Sequence, residues 1–215
     1  MEDLAMRLKE RYDLGLDMDD LDTAIMWAEQ ATHAVSTEDR RKWWLVLLSS
    51  WNNEKYQLLE DLDSLSSAIS ALERIEEDGI PLEIKTQVQM YDELSDLYEE
   101  RFAKFSTGPD SEDLNKCILK SEQSANLARD IGDDGPTIGG EKPHGILLMK
   151  LAWKYFMRFM VMNEPEDLEE ASVSIEQAAQ LVPVDSRHRE RLERIRGQIL
   201  GSSNRVAQGK HGWRV

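Results

Sequence analysis

The side chains with the strongest intrinsic chemistry in this chain are one thiol and four imidazoles. A Cys thiolate is a nucleophile when a base or a positive charge lowers its pKa, and His side chains bind zinc when several converge. The sequence suggests no base beside Cys117. The four imidazoles are scattered, without HExxH or paired-ligand spacing: His33, His144, His188 and His211. We therefore predict no catalytic residue, no metal and no cofactor.

A glycine-rich segment could in principle cradle a phosphate. Residues 129–145, RDIGDDGPTIGGEKPHG, contain five Gly and two Pro. However, no GK[ST] is present, the chain before the segment has a helical rather than a strand pattern, and its acids oppose an anion. The segment is typical of a long disordered or lid-like connection.

One short acidic run spells the DxDD motif with which class II terpene cyclases protonate an alkene. It comprises Asp17-Met18-Asp19-Asp20. Such an acid needs a buried aromatic cavity. The same segment fails as a calcium loop, because its sixth position is Asp22 rather than Gly and its twelfth is Ala28 rather than Glu. These acids belong to a turn that recurs along the chain, so we interpret them as structural.

The elements that must position any site are indicated by a pattern that occurs four times. A Leu is followed eight residues later by an aromatic that a base precedes. Another Leu comes next, then a small residue three positions on and a Glu five beyond that. The copies are Leu4, Arg11-Tyr12, Leu21, Ala24, Glu29; Leu48, Lys55-Tyr56, Leu65, Ala68, Glu73; Leu94, Arg101-Phe102, Leu114, Cys117, Glu122; and Leu151, Arg158-Phe159, Leu168, Ala171, Glu176. Self-similarity of this kind is the signature of a repeat architecture.

Each copy predicts a helical hairpin. The first Leu and the aromatic lie about 80° apart on a helix and mark its buried face. The small residue, which in the third copy is Cys117, lets the second helix pack closely and is expected to be buried. Acids and Ser before each second helix are expected to cap it, namely Asp19-Asp20, Asp63-Ser64, Ser111-Glu112-Asp113 and Glu166-Asp167.

The predicted fold is an all-α solenoid of four degenerate hairpin repeats plus a C-terminal capping helix, forming a single domain over residues 1–200. The predicted helices cover 2–14, 18–35, 38–58, 61–77, 81–105, 110–130, 144–162, 165–181 and 185–200. Pro81 is expected near the start of the fifth helix. Residues 201–215 are predicted to form a flexible basic tail.

Charge excludes two classes of partner. The 215 residues carry a formal net charge of −16, which opposes nucleic acid and anionic membranes and favours basic partners. The charge is uneven, because residues 185–215 have eight Lys or Arg against three Asp or Glu, a net of +5, and residues 1–184 therefore carry −21. A single Cys, no long apolar run and no signal peptide favour a cytoplasmic protein.

The first repeat resembles those of fungal tetratricopeptide proteins. Arg11-Tyr12 followed by DLGLDMDDLDTAI fits a repeat that reads roughly R-[YF]-x-x-x-G-x-x-x-D-L-D-x-A-I. EKYQLLEDLDSLSSAI, ERFAKFSTGPDSEDLNKCI and MRFMVMNEPEDLEEAS are progressively weaker copies, and the resemblance, which extends to the long repeats of kinesin light chains, covers roughly residues 4–200. It implies a tetratricopeptide-like fold and a protein-binding scaffold. In that family such arrays are often fused to immune-receptor-like or caspase-like (CHAT) modules, neither of which is present in this sequence.

The resemblance also implies that the first helix of each repeat lines a concave groove. The corresponding positions are Met6, Glu10 and Asp13; Leu47, Ser50 and Glu54; Glu93, Asp96 and Glu100; and Lys150, Trp153, Met157 and Met160. The middle of this set is acidic and its last copy is apolar. We therefore expect a protein or peptide partner with a basic stretch and a hydrophobic anchor.

The leading hypothesis is an adaptor or scaffold module rather than an enzyme, with alternatives left open. One is a regulatory or oligomerisation domain of a larger fungal immune-receptor-like or CHAT-type protein, because adjacent Trp43 and Trp44 cannot both face inward. Another is a small helical-repeat enzyme with a cavity built from Trp153, Tyr155, Met157 and the glycine-rich loop. The tail, ending KHGWRV, could also bind the acidic groove of its own or a second copy.

Overall fold

The computed structural model of this protein describes residues 2–105, 112–131 and 143–207. Within these ranges all regular structure is helical: α1 (Glu2–Gly15), α2 (Met18–Ala34), α3 (Glu38–Leu59), α4 (Leu62–Glu77), α5 (Ile84–Phe105), α6 (Glu112–Ile131), α7 (Pro143–Met162), α8 (Pro165–Leu181) and α9 (Arg189–Ala207). The helices pair in sequence as the hairpins α1/α2, α3/α4, α5/α6 and α7/α8, and α9 packs on α8 and α7. The prediction of an all-α helical-hairpin repeat fold with a terminal helix is confirmed.

Three helix boundaries differ from the prediction by three residues or more, one of them the start of the last helix, which is at Arg189 rather than at residue 185. The fifth helix begins at Ile84, and Pro81 lies before it, because the chain leaves α4 through Gly79 in a left-handed conformation (φ 63°). The last helix runs to Ala207, so the first seven residues of the predicted flexible tail are helical. Its buried stripe of Leu192, Ile195, Ile199 and Ser202 continues past residue 200. The remainder of the tail, 208–215, and most of the glycine-rich segment lie outside the described residues.

The chain divides into two compact units, residues 1–82 and 83–215. In the first unit, α1 to α4 enclose a core built on Trp44, Trp51 and Tyr12 with several small residues of α2. In the second unit, the apolar face of α7 is the centre of a core that α6, α8 and α9 complete.

The repeated positions are core positions. The small residues Ala24, Ala68, Cys117 and Ala171 are fully buried, as expected for close helix packing. Leu4 is the exception among the repeated Leu residues and is 43% exposed. In the first copy the buried residue is Ala5 instead of Leu4. Ala5 lies seven residues before Tyr12, which is about two helical turns, so both face the same side of the helix and both are buried.

In the first, third and fourth copies the base before the aromatic is an Arg that joins the two helices of its own hairpin, a role that the sequence did not reveal. Arg101 donates to both carboxylate oxygens of Asp113 at 2.8 and 2.6 Å, and Arg158 binds Asp167 at the same distances. Arg11 binds Asp20 in the same way. Two parallel hydrogen bonds of this kind fix geometry as well as charge.

The predicted N-caps of α2 and α4 are wrong by two or three residues. Asp17 caps α2 by accepting from the backbone N–H of Asp19 at 3.1 Å, and Asp61 caps α4 by accepting from that of Ser64 at 2.8 Å. The acid at Asp20, which was expected to cap, lies in the first turn and binds Arg11 instead. The DxDD run is thus divided between capping and hairpin closure, which agrees with the structural interpretation.

Each of the three hairpin turns that the structure describes is closed by a residue in the left-handed region. Leu16 (φ 54°), Glu60 (φ 52°) and Asn163 (φ 58°) occupy the same repeat position. Each donates its backbone N–H to the carbonyl of the repeated aromatic four residues earlier, at 2.6–2.7 Å. This is the αL cap for which glycine is normally used.

Candidate partner-binding site

The second unit places a row of acids on α5 opposite a row of bases on α7. Asp92, Asp96 and Glu99 recur at spacings of four and three residues, and Lys150 and Lys154 are four residues apart. Residues with these spacings share one face of a helix. The two rows therefore meet along the contact between α5 and α7.

The contacts form a continuous chain of charge pairs, which we call the ion ladder (Asp92, Asp96, Glu99, Lys150 and Lys154). The Lys150 ammonium donates to Asp92 at 2.8 and 2.9 Å and to Asp96 at 2.6 Å. The Lys154 ammonium donates to the other oxygen of Asp96 at 2.8 Å and lies 3.6 Å from Glu99. Both oxygens of Asp96 are thus occupied.

Lys154 is the unusual member because its side chain has no exposed surface. Burial alone would lower the pKa of Lys154, but the neighbouring Asp96, Cys117 and Glu99 outweigh burial and raise it above the ordinary value. The amine is therefore held in its charged form inside the unit. A buried charge of this kind is tolerated only while its partners stay in place.

Burial and repulsion act differently on the acids. Burial tends to raise the pKa of Asp96, but Lys154 and Lys150 outweigh it and hold the pKa below its ordinary value. The pKa of Asp92 is raised, mainly by burial against the attraction of Lys150. The pKa of Glu93 is also raised, first by burial and then by repulsion from Asp92 and Asp96.

A cavity of about 300 Å³ opens beside the ion ladder, between α5, α7 and α9. It is lined by Asp96, Glu99, Glu100, Ala103, Lys150, Trp153 and Arg191. The indole N–H of Trp153 donates to Glu99 at 3.1 Å, so the ring and this carboxylate are fixed relative to each other. The structure thus brings together four residues that the sequence predicted for the groove.

The other predicted groove residues lie elsewhere. In the second unit, Glu93 and Met157 are half-buried and outside the lining of this cavity. In the first unit, Lys9 binds both Asp13 and Glu54, the latter at 3.1 Å, and Glu10 is exposed. Lysines therefore pair with several of the acids that were expected to present a free negative surface.

Sequence reasoning missed Glu99, Lys154 and Arg191 as members of the site. A signal was present for the first two. Lys150 and Lys154 are the only charges in the apolar stretch 144–157, and their spacing of four matches that of the acids on α5. Arg191 carried no such signal, because α9 meets α7 only in the tertiary structure. Arg191 makes no ion pair within the described residues.

The aromatic residues divide as expected. Trp44 is fully buried and lies against Trp51 with ring centroids 6.4 Å apart, whereas Trp43 is 46% exposed.

Cys117 is also buried, and burial raises the pKa of its thiol to about 12. The thiol is therefore protonated at neutral pH, as expected for a packing residue.

Two of the residues proposed for an enzyme cavity, Trp153 and Tyr155, line different cavities of the described part of the chain. Trp153 lines the cavity between α5, α7 and α9, whereas Tyr155 lines a second one of about 250 Å³ between α6, α7 and α8, together with Glu122 and His144. The hydroxyl of Tyr155 donates to Glu122. Met157 lines neither of these cavities.

The first unit has a cavity of about 670 Å³ at the corresponding position, between α2, α3 and α4. Glu29 on its wall corresponds to Glu122, and Asn52 corresponds to Tyr155 in the repeat. Arg74 binds both oxygens of Glu29, at 2.8 and 3.0 Å, across this cavity. The repeated Glu is therefore another structural position, since it joins neighbouring repeats.

Comparisons with known proteins add little. No family model and no curated protein matches the chain. Among solved structures, the chain is similar to one titled "DHF58 filament", with 18% identity over 91% of this chain and 93% of that chain and a TM-score of 0.49. It is also similar to the de novo designed helical repeat protein DHR64, with 15% identity over 98% of this chain and 94% of that chain and a TM-score of 0.37. The fold assignment accordingly rests on the helices themselves.

Among the described residues, no helix combines the length and the apolar character needed to cross a membrane. No cluster of three or more His, Cys, Asp or Glu side chains among them is arranged to hold a metal ion.

Proposed function

We propose that this protein is a non-catalytic binding module whose second unit receives a basic side chain of a partner protein or peptide. The observation that carries the proposal is the cavity that Asp96, Glu99 and Glu100 line together with Trp153, with Lys150 and Arg191 in the same lining. An aromatic face bordered by carboxylates attracts a Lys or Arg side chain through its charge and its apolar stem. At about 300 Å³, the cavity is at the lower end of ligand-pocket sizes, which suits one side chain of a peptide.

The ion ladder supports this proposal by orienting the carboxylates before a ligand arrives. Asp96 is fixed by two lysines and Glu99 by the indole N–H, so little side-chain entropy remains to be lost on binding. Across the same cavity, Arg191 offers its guanidinium to a carbonyl or carboxylate of the ligand. The expected ligand therefore combines a base with a nearby acceptor and an apolar residue.

The proposal is tested by selecting random peptides of roughly 12 residues against the whole chain and measuring the affinity of enriched sequences by fluorescence anisotropy. We expect enriched peptides to carry Lys or Arg next to an apolar residue. Glu100→Lys should weaken their binding about tenfold or more, because like charges at an interface are costly. Arg191→Ala, which removes the guanidinium offered to the acceptor of the ligand, should weaken binding as well.

Glu10→Lys is the matched control, because Glu10 occupies in the first repeat the position that Glu100 occupies in the third. If Glu10→Lys weakens binding as much as Glu100→Lys, the attraction comes from the net charge of the chain and the site is refuted. Enrichment of peptides without a base would refute it as well.

We also propose that the chain belongs with the fungal tetratricopeptide proteins and acts in the cytoplasm as an adaptor. The repeated αL caps support the family proposal, because they fall at the position of glycine in that family's repeat. The single buried thiol fits a reducing compartment. Detection of the protein in a secreted fraction would contradict the cytoplasmic part.

A further inference from the structure

The first unit exposes five leucines at its two hairpin turns, which we call the leucine edge (Leu14, Leu16, Leu58, Leu59 and Leu62). Their exposed fractions run from 42% for Leu62 to 91% for Leu14. Leu14 and Leu58 occupy the same repeat position on α1 and α3, so the turns that follow them present leucine in the same way.

Ion pairs place these two turns side by side. Lys9 near the end of α1 lies 3.1 Å from Glu54 near the end of α3. Lys55 of α3 lies 2.7 Å from Asp22, at the start of α2. The leucines of both turns therefore lie at the same end of two adjacent hairpins.

One member of the leucine edge is held in a costly conformation. Leu16 has φ 54°, a conformation that glycine adopts more easily than a residue with a side chain. Leu16 is 71% exposed, so burial in the core does not compensate for this cost.

The charges around the leucine edge select its occupant. The segments 13–19 and 54–63 contain seven acids and one base, Lys55, a net charge of −6. That base is already paired with Asp22, and Lys9 of α1 pairs with Asp13 and Glu54, so the net charge with Lys9 included is −5. A second copy of this chain would bring two such acidic borders together, and an anionic membrane would be repelled.

We propose that the leucine edge docks an amphipathic helix of a partner protein, with apolar residues on one face and Lys or Arg bordering them. The apolar face covers the leucines, and the flanking bases meet the acids of the two turns. Helices of this type bind apolar grooves through residues spaced three and four apart.

The probe for this proposal is a synthetic peptide of roughly 18 residues, about five helical turns, made of Leu and Lys in amphipathic order. A second peptide has the same composition in a non-amphipathic order. Binding to the whole chain is measured by fluorescence anisotropy at low and high salt. The double variant Leu14→Ser/Leu58→Ser should bind the amphipathic peptide at least about tenfold more weakly, a loss of about 1.4 kcal/mol.

Val161→Ser is the matched control, because Val161 occupies the same repeat position in the second unit and is also exposed. It should leave the affinity unchanged, and all variants are compared in a Glu100→Lys background, so that binding at the cavity of the second unit does not contribute. Circular dichroism melts confirm that each variant is folded.

Several outcomes would overturn the proposal. They are equal binding of the double variant and the wild type, equal binding of the non-amphipathic peptide, or an equal loss in Val161→Ser. Self-association of the wild type that the double variant abolishes would make a second copy the occupant. Binding to phosphatidylcholine vesicles that depends on Leu14 and Leu58 would make it a lipid surface.

Discussion

The helices α3 and α7 hold the same repeat position in their units but face opposite kinds of neighbour. Leu47 and Trp51 on α3 correspond to Lys150 and Lys154 on α7. Across the contact, Met6 on α1 corresponds to Asp96 on α5. Met6, Leu47 and Trp51 belong to the apolar core of the first unit, whereas their counterparts in the second unit form the centre of the ion ladder.

This difference shows that one backbone arrangement supports two kinds of contact with different demands. An apolar contact stabilises in proportion to the area that it buries and tolerates gradual change. A buried ionic contact stabilises only when every charge has its partner. Substitutions at this position of the first unit should therefore cost little stability. In the second unit the charges are oriented, but loss of one partner should destabilise the fold.

The largest expected effect comes from breaking the ion ladder at its middle. Asp96→Ala leaves the fully buried Lys154 with only Glu99 at 3.6 Å, and we expect the free energy of unfolding of the second unit to fall by about 3–5 kcal/mol. Urea titration followed by hydrogen exchange in each unit measures the loss. In the first unit, Met6→Ala should cost less, about 1–2 kcal/mol, because this half-buried side chain has no charged partner to abandon. Equal losses would show that the ionic contact has no special cost.

Alkaline pH should destabilise the ion ladder of the second unit but not the apolar contact of Met6, Leu47 and Trp51 in the first unit. The effect should be smaller than that of Asp96→Ala. The folded pKa of Lys154 lies above the ordinary value of 10.5, so the stability that it contributes is fully present below about pH 10.5 and is lost as the pH rises through the folded pKa. The raised pKa of Tyr155, caused first by burial and then by its bond to Glu122, acts in the same direction. Urea midpoints measured from pH 8 to 11.5 should fall more steeply for the wild type than for Lys154→Met. Parallel curves would contradict this assignment.

Tyr155→Phe tests the second difference between the units, where Tyr155 crosses a small cavity and its counterpart Asn52 lines a large one. Loss of the phenol hydroxyl leaves Glu122 without this donor and should cost about 1–2 kcal/mol in thermal or urea unfolding. Asn52→Ala removes only a bond of 2.8 Å to the carbonyl of Leu48 on its own helix and should cost about 0.5–1 kcal/mol. A larger loss in the asparagine variant would reverse the comparison.

The smallest expected effect is a gain of stability. Leu16→Gly should stabilise the first unit by about 0.5–1 kcal/mol, because relief of the left-handed strain exceeds the entropy that glycine loses on folding. Asn163→Gly at the same position of the second unit should gain less, since Asn tolerates this conformation better than Leu. Melting temperatures of the two variants decide the matter, and a loss in Leu16→Gly would show that its side chain stabilises the folded chain.

Much of the fold was predictable because the repeated residues act locally. Eight of the nine helices match their predicted ranges within three residues at each end. The ninth, α9, begins four residues later and ends seven residues later than predicted, because packing rather than propensity sets its limits. The sequence showed the Arg and the Asp of each such pair but did not predict that they bind each other. They are nine or twelve residues apart, and only the folded turn brings them together.

The candidate site was less predictable. The sequence placed Asp96, Glu100, Lys150 and Trp153 on inward-facing helices, and they do line one cavity. It treated the acids and the lysines as separate features of two repeats, because the approach of α5 to α7 depends on a connection that carries no regular pattern.

By itself the sequence determined the helices, their pairing into hairpins and the residues that each helix buries, because these follow from spacings of three and four along one chain. The tertiary structure alone decided which charges neutralise each other. It placed Lys154 among Asp96, Glu99 and Cys117, and it brought Arg191 of α9 to the cavity of Trp153. Electrostatic partners depend on distances between helices that are far apart in sequence, and a spacing pattern does not contain those distances.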